Sequence, residues 1–348
     1  MLDKPKITYL LGSGASCDSL PLGTDLGTEI GKTSELIKNS IESKYDQPGM
    51  PYPEEKRPWP RGPIGKNLID AFKWIRNETI GTTVDNFARI LFIRQQNGNL
   101  SAKRDLNKVK AVLACYFLLV QSRISTDKRY DEFFGKIIET RAGIRLPAHL
   151  RFLSWNYDIL PEKTYFSCTS NTERVRKEIT ESDSFIRLNG IAGMIKATPR
   201  NIVANHHEAG YIEAIQQSEI QIDIETLIEL FDRMTEEPLC ELEPVLKFGW
   251  ESENIDHRIS DSIIGTETLI VIGYSFPDFN AGVDRQLLDI MLNSVQRIVI
   301  QVPNTPEDNF TAIKGKLLDR CGNRADSDMI SLFDSKGWFY RPHSLMPI

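Results

Sequence analysis

Four short polar segments, each placed directly after or within an apolar run, carry the side chains that could do chemistry in this chain. Gly12-Ser13-Gly14-Ala15-Ser16 follows Tyr9-Leu10-Leu11. A Gly-x-Gly turn between a buried strand and a helix makes an anion site. Glycine lets a phosphate approach the backbone, bare amide hydrogens point outward, and the dipole of the next helix favours negative charge. The third glycine of the dinucleotide fingerprint is missing, so a tight strand-to-helix turn without a ligand is an equal reading of this segment alone. Ser154-Trp155-Asn156-Tyr157-Asp158 offers an amide and a carboxylate one residue apart. Arg187-Leu188-Asn189-Gly190 ends on an asparagine, which can orient a water or a hydroxyl but cannot accept a proton at neutral pH as imidazole can. Gly273-Tyr274-Ser275-Phe276-Pro277-Asp278 is a second glycine turn after the apolar Leu269-Ile270-Val271-Ile272.

The elements that must position these residues are legible as a series of strands and helices. Strands are expected at Ile7–Leu11, Leu150–Ser154, Ser184–Leu188, Thr268–Ile272 and Arg297–Val302. Helical patterns run from Thr24 to about Ile41 and over Asn67–Asn77, Val84–Gln96, Lys103–Arg123 and Tyr130–Ala142. Further ones lie at Tyr211–Gln217, Ile222–Met234, Arg258–Ile264, Asn280–Leu292 and Asn309–Leu318. Tyr45 to Lys66 holds Pro48, Pro51, Pro53, Pro58, Pro60 and Pro63, which excludes helix or inner strand. The expected fold is α/β, a Rossmann-like parallel sheet with helices on both faces and a large helical insertion. Residues 1–45 and 150–348 form the nucleotide-binding α/β domain; residues 46–149 form the proline-rich loop and the insertion, which could also be a small domain of its own. In such a sheet the carboxyl ends of the strands form the ligand crevice.

Composition narrows the function classes. At 348 residues, 41% hydrophobic and 26% charged, the chain has the make-up of a globular protein, and its net charge of −6 argues against general nucleic-acid binding. Lys103, Arg104, Lys108 and Lys110 cluster on one expected helix, where a solvated face is the plainer reading. The polar opening Met1-Leu2-Asp3-Lys4-Pro5-Lys6 has no secretory character, and the apolar run Ala111 to Val120 is too short to span a bilayer. The five cysteines, Cys17, Cys115, Cys168, Cys240 and Cys321, are far apart and form no C-x-x-C pair, so neither a disulfide framework nor a zinc ribbon is indicated. A cytoplasmic protein with no membrane association is expected.

In their order, the four segments resemble the sirtuin-like family of NAD-consuming proteins. Gly12, Gly14, Ala15 and Ser16 match the family's Gly-Ala-Gly-Ala-Ser phosphate turn, with Ser13 in place of the first alanine. Leu20-Pro21-Leu22-Gly23 resembles the segment that follows it in the bacterial, non-deacetylase branch. Asn156 and Asp158 match the Asn-x-Asp element beside the nicotinamide and its ribose, and Gly273 and Ser275 match the Gly-x-Ser turn on the adenosine side. Gln301-Val302-Pro303-Asn304 falls where the family places a loop near the adenine ribose, so Asn304 joins the expected cofactor-binding set. Thr83-Val84-Asp85-Asn86-Phe87 resembles a recurring start of the inserted helices in bacterial members.

The resemblance implies a zinc-free NAD glycohydrolase of bacterial antiviral defence, giving ADP-ribose and nicotinamide, because the paired C-x-x-C motifs of deacetylases are absent. NAD is the implied substrate or ligand. A homo-oligomer, or a separate sensor or effector subunit of the Argonaute or hexameric ATPase type, is the implied partner. Asn156, Asp158 and Asn189 are the implied catalytic residues; Asn189 stands where the branch has histidine in Leu-His-Gly. The alternative is a catalytically degenerate subunit that binds NAD or ADP-ribose as scaffold or sensor. Cleavage of a pyridinium–ribose bond releases a neutral leaving group through a transition state of oxocarbenium character, so positioning and nearby negative charge can do much of the work. Asn156 suits the ribose hydroxyls or the attacking water, and Asp158 the nicotinamide amide or the developing positive charge.

Other residues have plainer readings. His206 and His207 suit a polar surface turn better than a substitute base or a metal site. Trp155 could stack on a ligand or pack in the core. Tyr157 and Tyr274 suit packing with a bonded hydroxyl, Cys17 a small buried hydrophobe, and Asp85, Asp278 and Asn280 helix caps.

Overall fold

The computed structural model describes residues 5–45, 65–124, 127–138, 145–169, 183–196, 222–235, 242–252, 254–302, 307–335 and 337–345. Eight strands occur among them: β1 (Lys6–Leu11), β2 (Leu150–Ser154), β3 (Phe185–Arg187), β4 (Met194–Lys196), β5 (Leu242–Pro244), β6 (Thr266–Ile272), β7 (Arg297–Gln301) and β8 (Ile330–Phe333). Six form one sheet in the order β3-β2-β1-β6-β7-β8, with every neighbouring pair parallel. β4 and β5 make a separate antiparallel pair.

Alternation along the strands explains why both faces are covered. Ile7, Tyr9 and Leu11 of β1, Ile270 and Ile272 of β6, and Val299 of β7 enter one apolar core. Leu10, Leu269, Val271, Ile298 and Ile300 enter a second core on the opposite face. A central parallel strand must bury both sets, which is why it reads as a continuous apolar run.

The first core is closed by the helices between β1 and β2: α1 (Leu26–Tyr45), α2 (Lys66–Glu78), α3 (Val84–Gln96), α4 (Leu100–Gln121) and α5 (Lys128–Ile137). α6 (Leu160–Thr169) and α7 (Ile224–Thr235) pack there too. The second core is closed by α8 (His257–Ile263), α9 (Ala281–Met291) and α10 (Glu307–Cys321). α4 is the centre of the insertion. Its apolar run lies in the first core, and no helix among the described residues is long and apolar enough to cross a membrane.

Most expected elements are present within a few residues of their boundaries, and the α3 span is as expected. The proline-rich segment at 46–64, the expected helix Tyr211–Gln217, the end of the one at Tyr130–Ala142, Cys240, His206, His207 and Asn304 lie outside the described residues. Four features depart from expectation, the unforeseen antiparallel pair β4–β5 among them. The turn after β1 leads into a four-residue 3-10 turn, Ser13–Ser16, rather than straight into a helix, while the helix expected from Thr24 is present from Leu26. α6 was not legible, because Pro161, Thr164, Tyr165, Phe166 and Thr169 are weak helix formers; its first turn is held by Asp158 Oδ1, which accepts the Leu160 amide at 3.1 Å. β8, a half-exposed edge strand of four residues, carries too little pattern to be read.

Candidate functional site

The strand order fixes where a crevice must open. From β1 the chain runs to β2 and β3 on one side, then returns to β6 on the other, so connections diverge between β1 and β6. Gly12 and Gly273 are the first residues beyond those two strands. A cavity of about 710 Å³ lies there, a size suited to a nucleotide-class ligand. Gly12, Ser13, Gly14, Ser16, Asn156, Asp158, Asn189, Gly273 and Ser275 all line it. The four segments, distant in sequence, thus share one wall. Leu20, Pro21, Leu22 and Gly23 line it as well. Ala15 faces the core instead.

The glycines answer first to each other. A Cβ on Gly273, whose φ is +62°, would sit 2.3 Å from the Ala15 nitrogen, and one on Gly12 would sit 2.4 Å from the Gly273 carbonyl oxygen. The two turns touch backbone to backbone, which only glycine permits. The Gly14 amide donates to the Gly273 carbonyl at 3.0 Å, and the Ala15 amide to the Gly12 carbonyl at 2.8 Å. The Gly14 and Ala15 amides are therefore taken up within the protein. The helix dipole expected behind them reduces to a single 3-10 turn. Phe276, directly after Ser275 of the glycine turn, holds φ +49° with its ring fully buried, a strained backbone of the kind that clusters at functional loops.

Ser16 ties the polar floor together. Its hydroxyl donates to Asp158 Oδ1 at 3.3 Å, accepts from Asn156 Nδ2 at 3.4 Å, and lies 3.4 Å from the Tyr130 hydroxyl. Asn156 is 5% and Asp158 3% exposed. Burial pushes the Asp158 carboxyl above its ordinary range, against the opposing pull of Arg187. Arg187 holds the strand ends in place. It donates to Ser154 Oγ at 2.9 Å, reaches the Asn156 carbonyl at 3.5 Å, and forms a buried ion pair with Glu162. Such a pair gives fixed geometry rather than net stability.

Asn189 is committed elsewhere. Its Nδ2 donates to the Trp155 carbonyl at 2.8 Å, and its Oδ1 accepts the Gly249 amide at 2.9 Å. The side chain clamps the end of β2 to the segment after β5, so it lines the cleft as a brace. Trp155 stacks on Tyr274 with centroids 5.7 Å apart, and both line the cleft. The Tyr274 hydroxyl donates to Asp284 and accepts from Asn280 Nδ2 at 3.1 Å. Burial raises the Asp284 carboxyl to about 7.

Several expectations for single residues change. Thr83, not Asp85, caps α3, its hydroxyl accepting the Asn86 amide at 3.2 Å. Asp85 instead lines the cleft, bonded to the Tyr157 hydroxyl, and burial raises its carboxyl. Asn280 makes no side-chain cap, and Asp278 pairs with Arg320 at 2.7 Å. Cys17 is half-buried on the cleft wall with Arg129 Nη1 3.6 Å from its sulfur, rather than a core residue. Of the basic cluster on α4, Lys110 pairs with Glu251 and Lys108 lies over the Trp74 ring. Tyr157 and Tyr274 are packed with bonded hydroxyls, as expected. Gln301 donates to the Trp338 carbonyl and accepts the Tyr340 amide, each at 2.8 Å, so it ties the end of β7 to the segment after β8. His257 and His343 do not line the cleft.

Asp85, Phe117 and Lys316 are among the lining residues that the sequence did not mark as site residues. Asp85 had a signal: Thr83 is the better cap, which leaves a carboxylate two residues later unexplained. Phe117 and Lys316 had none, since nothing local separates them from neighbouring helix residues. The charged residues of the lining are Asp85, Asp158, Asp278 and Lys316. Among the described residues no group of His, Cys, Asp or Glu could hold a metal ion. No family model matches the chain, and no curated protein matches it.

Proposed function

We propose that this chain is an NAD glycohydrolase, cleaving NAD with water to ADP-ribose and nicotinamide. The observation that carries the reading is the meeting of all four chemistry-bearing segments in one crevice at the divergence of β1 and β6. Asn156 would orient the nicotinamide ribose, its amide steadied by Ser16. Asp158, buried beside it, would meet the charge of the pyridinium or of the sugar cation. Trp155 and Phe117 supply apolar surface to the same cleft, and Lys316 supplies its positive charge, suited to a phosphate. The resemblance to sirtuin-like proteins, rather than any feature of the cleft, supports a role in bacterial antiviral defence. It likewise supports activation by self-assembly or by a separate sensor or effector subunit.

The test is release of nicotinamide and ADP-ribose by the purified full chain at millimolar NAD. Asn156→Ala is expected to abolish that release while the folded state persists by circular dichroism. Undiminished turnover in the variant would contradict the reading. The double commitment of the Asn189 side chain favours a second reading, a subunit that binds NAD or ADP-ribose without turning it over. Binding by calorimetry without cleavage under any condition would establish that one instead.

A further inference from the structure

We propose that Asp85, delivered into the cleft by the helical insertion, is the catalytic carboxylate that activates the attacking water; this rests on the NAD glycohydrolase reading of the same site. The hydrolysis needs a group to take a proton, and the strand-end motifs do not provide one. Asn156 and Asn189 are amides without basic character at neutral pH. Asp158 spends Oδ1 on the Leu160 amide and the Ser16 hydroxyl and feels the opposing charge of Arg187, which ties it to the start of α6 and weakens it as a base. Asp278 is ion-paired with Arg320, and Asp284 lies behind Tyr274 and off the cleft wall. Asp85 is different. It lines the cleft, it is 9% exposed, and no cation pairs with it among the described residues.

Its position is built rather than incidental. Thr83 caps α3 and fixes the first turn, from which Asp85 reaches the Tyr157 hydroxyl. Tyr157 lies between Asn156 and Asp158 in sequence, and its ring packs against Phe117 and Phe248 at centroid distances of 5.8 and 6.0 Å. The hydroxyl donates to one carboxylate oxygen, which favours the ionised form and holds its plane. Burial works the other way and makes the carboxylate a stronger base than an exposed one.

The step balances without a co-reactant beyond water. The C1′–N bond of the nicotinamide riboside breaks, its electron pair passes to the pyridinium nitrogen, and neutral nicotinamide leaves. The water oxygen bonds to C1′ while its proton passes to Asp85, which then releases it to solvent. The products are ADP-ribose, nicotinamide and one proton.

The experiment compares wild type, Asp85→Asn and Asp85→Ala as full chains, measuring kcat and KM for NAD, ADP-ribose affinity, and rescue of Asp85→Ala by sodium formate. A general base contributes about 10²–10⁴-fold, so kcat in Asp85→Asn is expected to fall at least about 100-fold. ADP-ribose affinity should stay within about threefold in both variants, and formate should raise kcat in Asp85→Ala alone. Asp85→Asn turning over within about threefold of wild type would overturn the inference and leave the hydrolase standing. Loss of binding together with turnover, with no response to formate, would make Asp85 a structural brace and overturn it as well. A wild type that binds ADP-ribose yet cleaves no NAD under any condition, alone or with candidate partner subunits, would remove the hydrolase reading itself, and this inference with it.

Discussion

At the residue scale, the cleft is governed by carboxylates that water does not reach freely. Asp284, which lies behind the cleft residue Tyr274, is the clearest buried case, 1% exposed and raised from 3.8 to about 7 by burial. The folded state then binds its proton more tightly than the unfolded chain does. Its contribution to stability is full below the unfolded value of 3.8, declines as pH rises toward about 7, and is flat above that. Asp284→Asn keeps an acceptor for the Tyr274 hydroxyl without the titration. Chemical denaturation should show the variant's advantage over wild type growing as pH rises from about 4 to 8; a wild type more stable than the variant at pH 8 would refute the assignment. Asn189 makes a second prediction. One imidazole cannot both donate to the Trp155 carbonyl and accept the Gly249 amide in the same geometry. Asn189→His should therefore lose about 1–3 kcal/mol, from one buried backbone group left unpaired, measured as a shift in denaturation midpoint. The same clash of roles means that placing an imidazole at position 189 should not raise the proposed NAD cleavage.

At the element scale, the two glycine turns after β1 and β6 form one joint. Gly273 needs a left-handed backbone and allows no Cβ toward Gly14 and Ala15. Gly273→Ala must move one turn off the other, at about 2–4 kcal/mol, and displace Ser16 with it. Reduced stability together with weakened ADP-ribose binding is the expected pair of results. A variant that loses stability but binds unchanged would separate the joint from the site. The buried Arg187–Glu162 pair plays the matching part at β2 and β3, where it holds the Asn156 backbone from behind. The helices of the insertion are likewise functional parts, since α3 brings Asp85 and Thr83 to the cleft and α4 brings Phe117.

At the scale of the whole molecule, the site lies where both apolar cores and the insertion meet. A ligand that bridges the β1 and β6 turns should stabilise the fold as a unit. With ADP-ribose at about 100 times its Kd, linkage gives about 2.7 kcal/mol, visible as a concentration-dependent rise in Tm. Absence of any shift with NAD, ADP-ribose or nicotinamide would exclude this class of ligand. Asp85, Asp158 and Asp278, three of the four charged lining residues, suit the cationic pyridinium end of the proposed NAD substrate, with Lys316 opposing them.

The sequence by itself determined the α/β class, the parallel central strands and the insertion, because apolar periodicity and turn residues are local signals. It also marked the Gly12, Asn156, Asn189 and Gly273 segments as strand ends, and position in a parallel sheet then made them neighbours. Only the tertiary structure decided what each side chain does there. Whether the Gly14 amide is bare depends on a carbonyl more than 250 residues away, and whether Asn189 is free depends on Trp155 and Gly249. Asp85 looked like a cap because caps are local, whereas its partner Tyr157 is 72 residues distant. Hydrogen bonds and desolvation are set by what lies within a few ångströms in space, and that information is distributed over the whole chain.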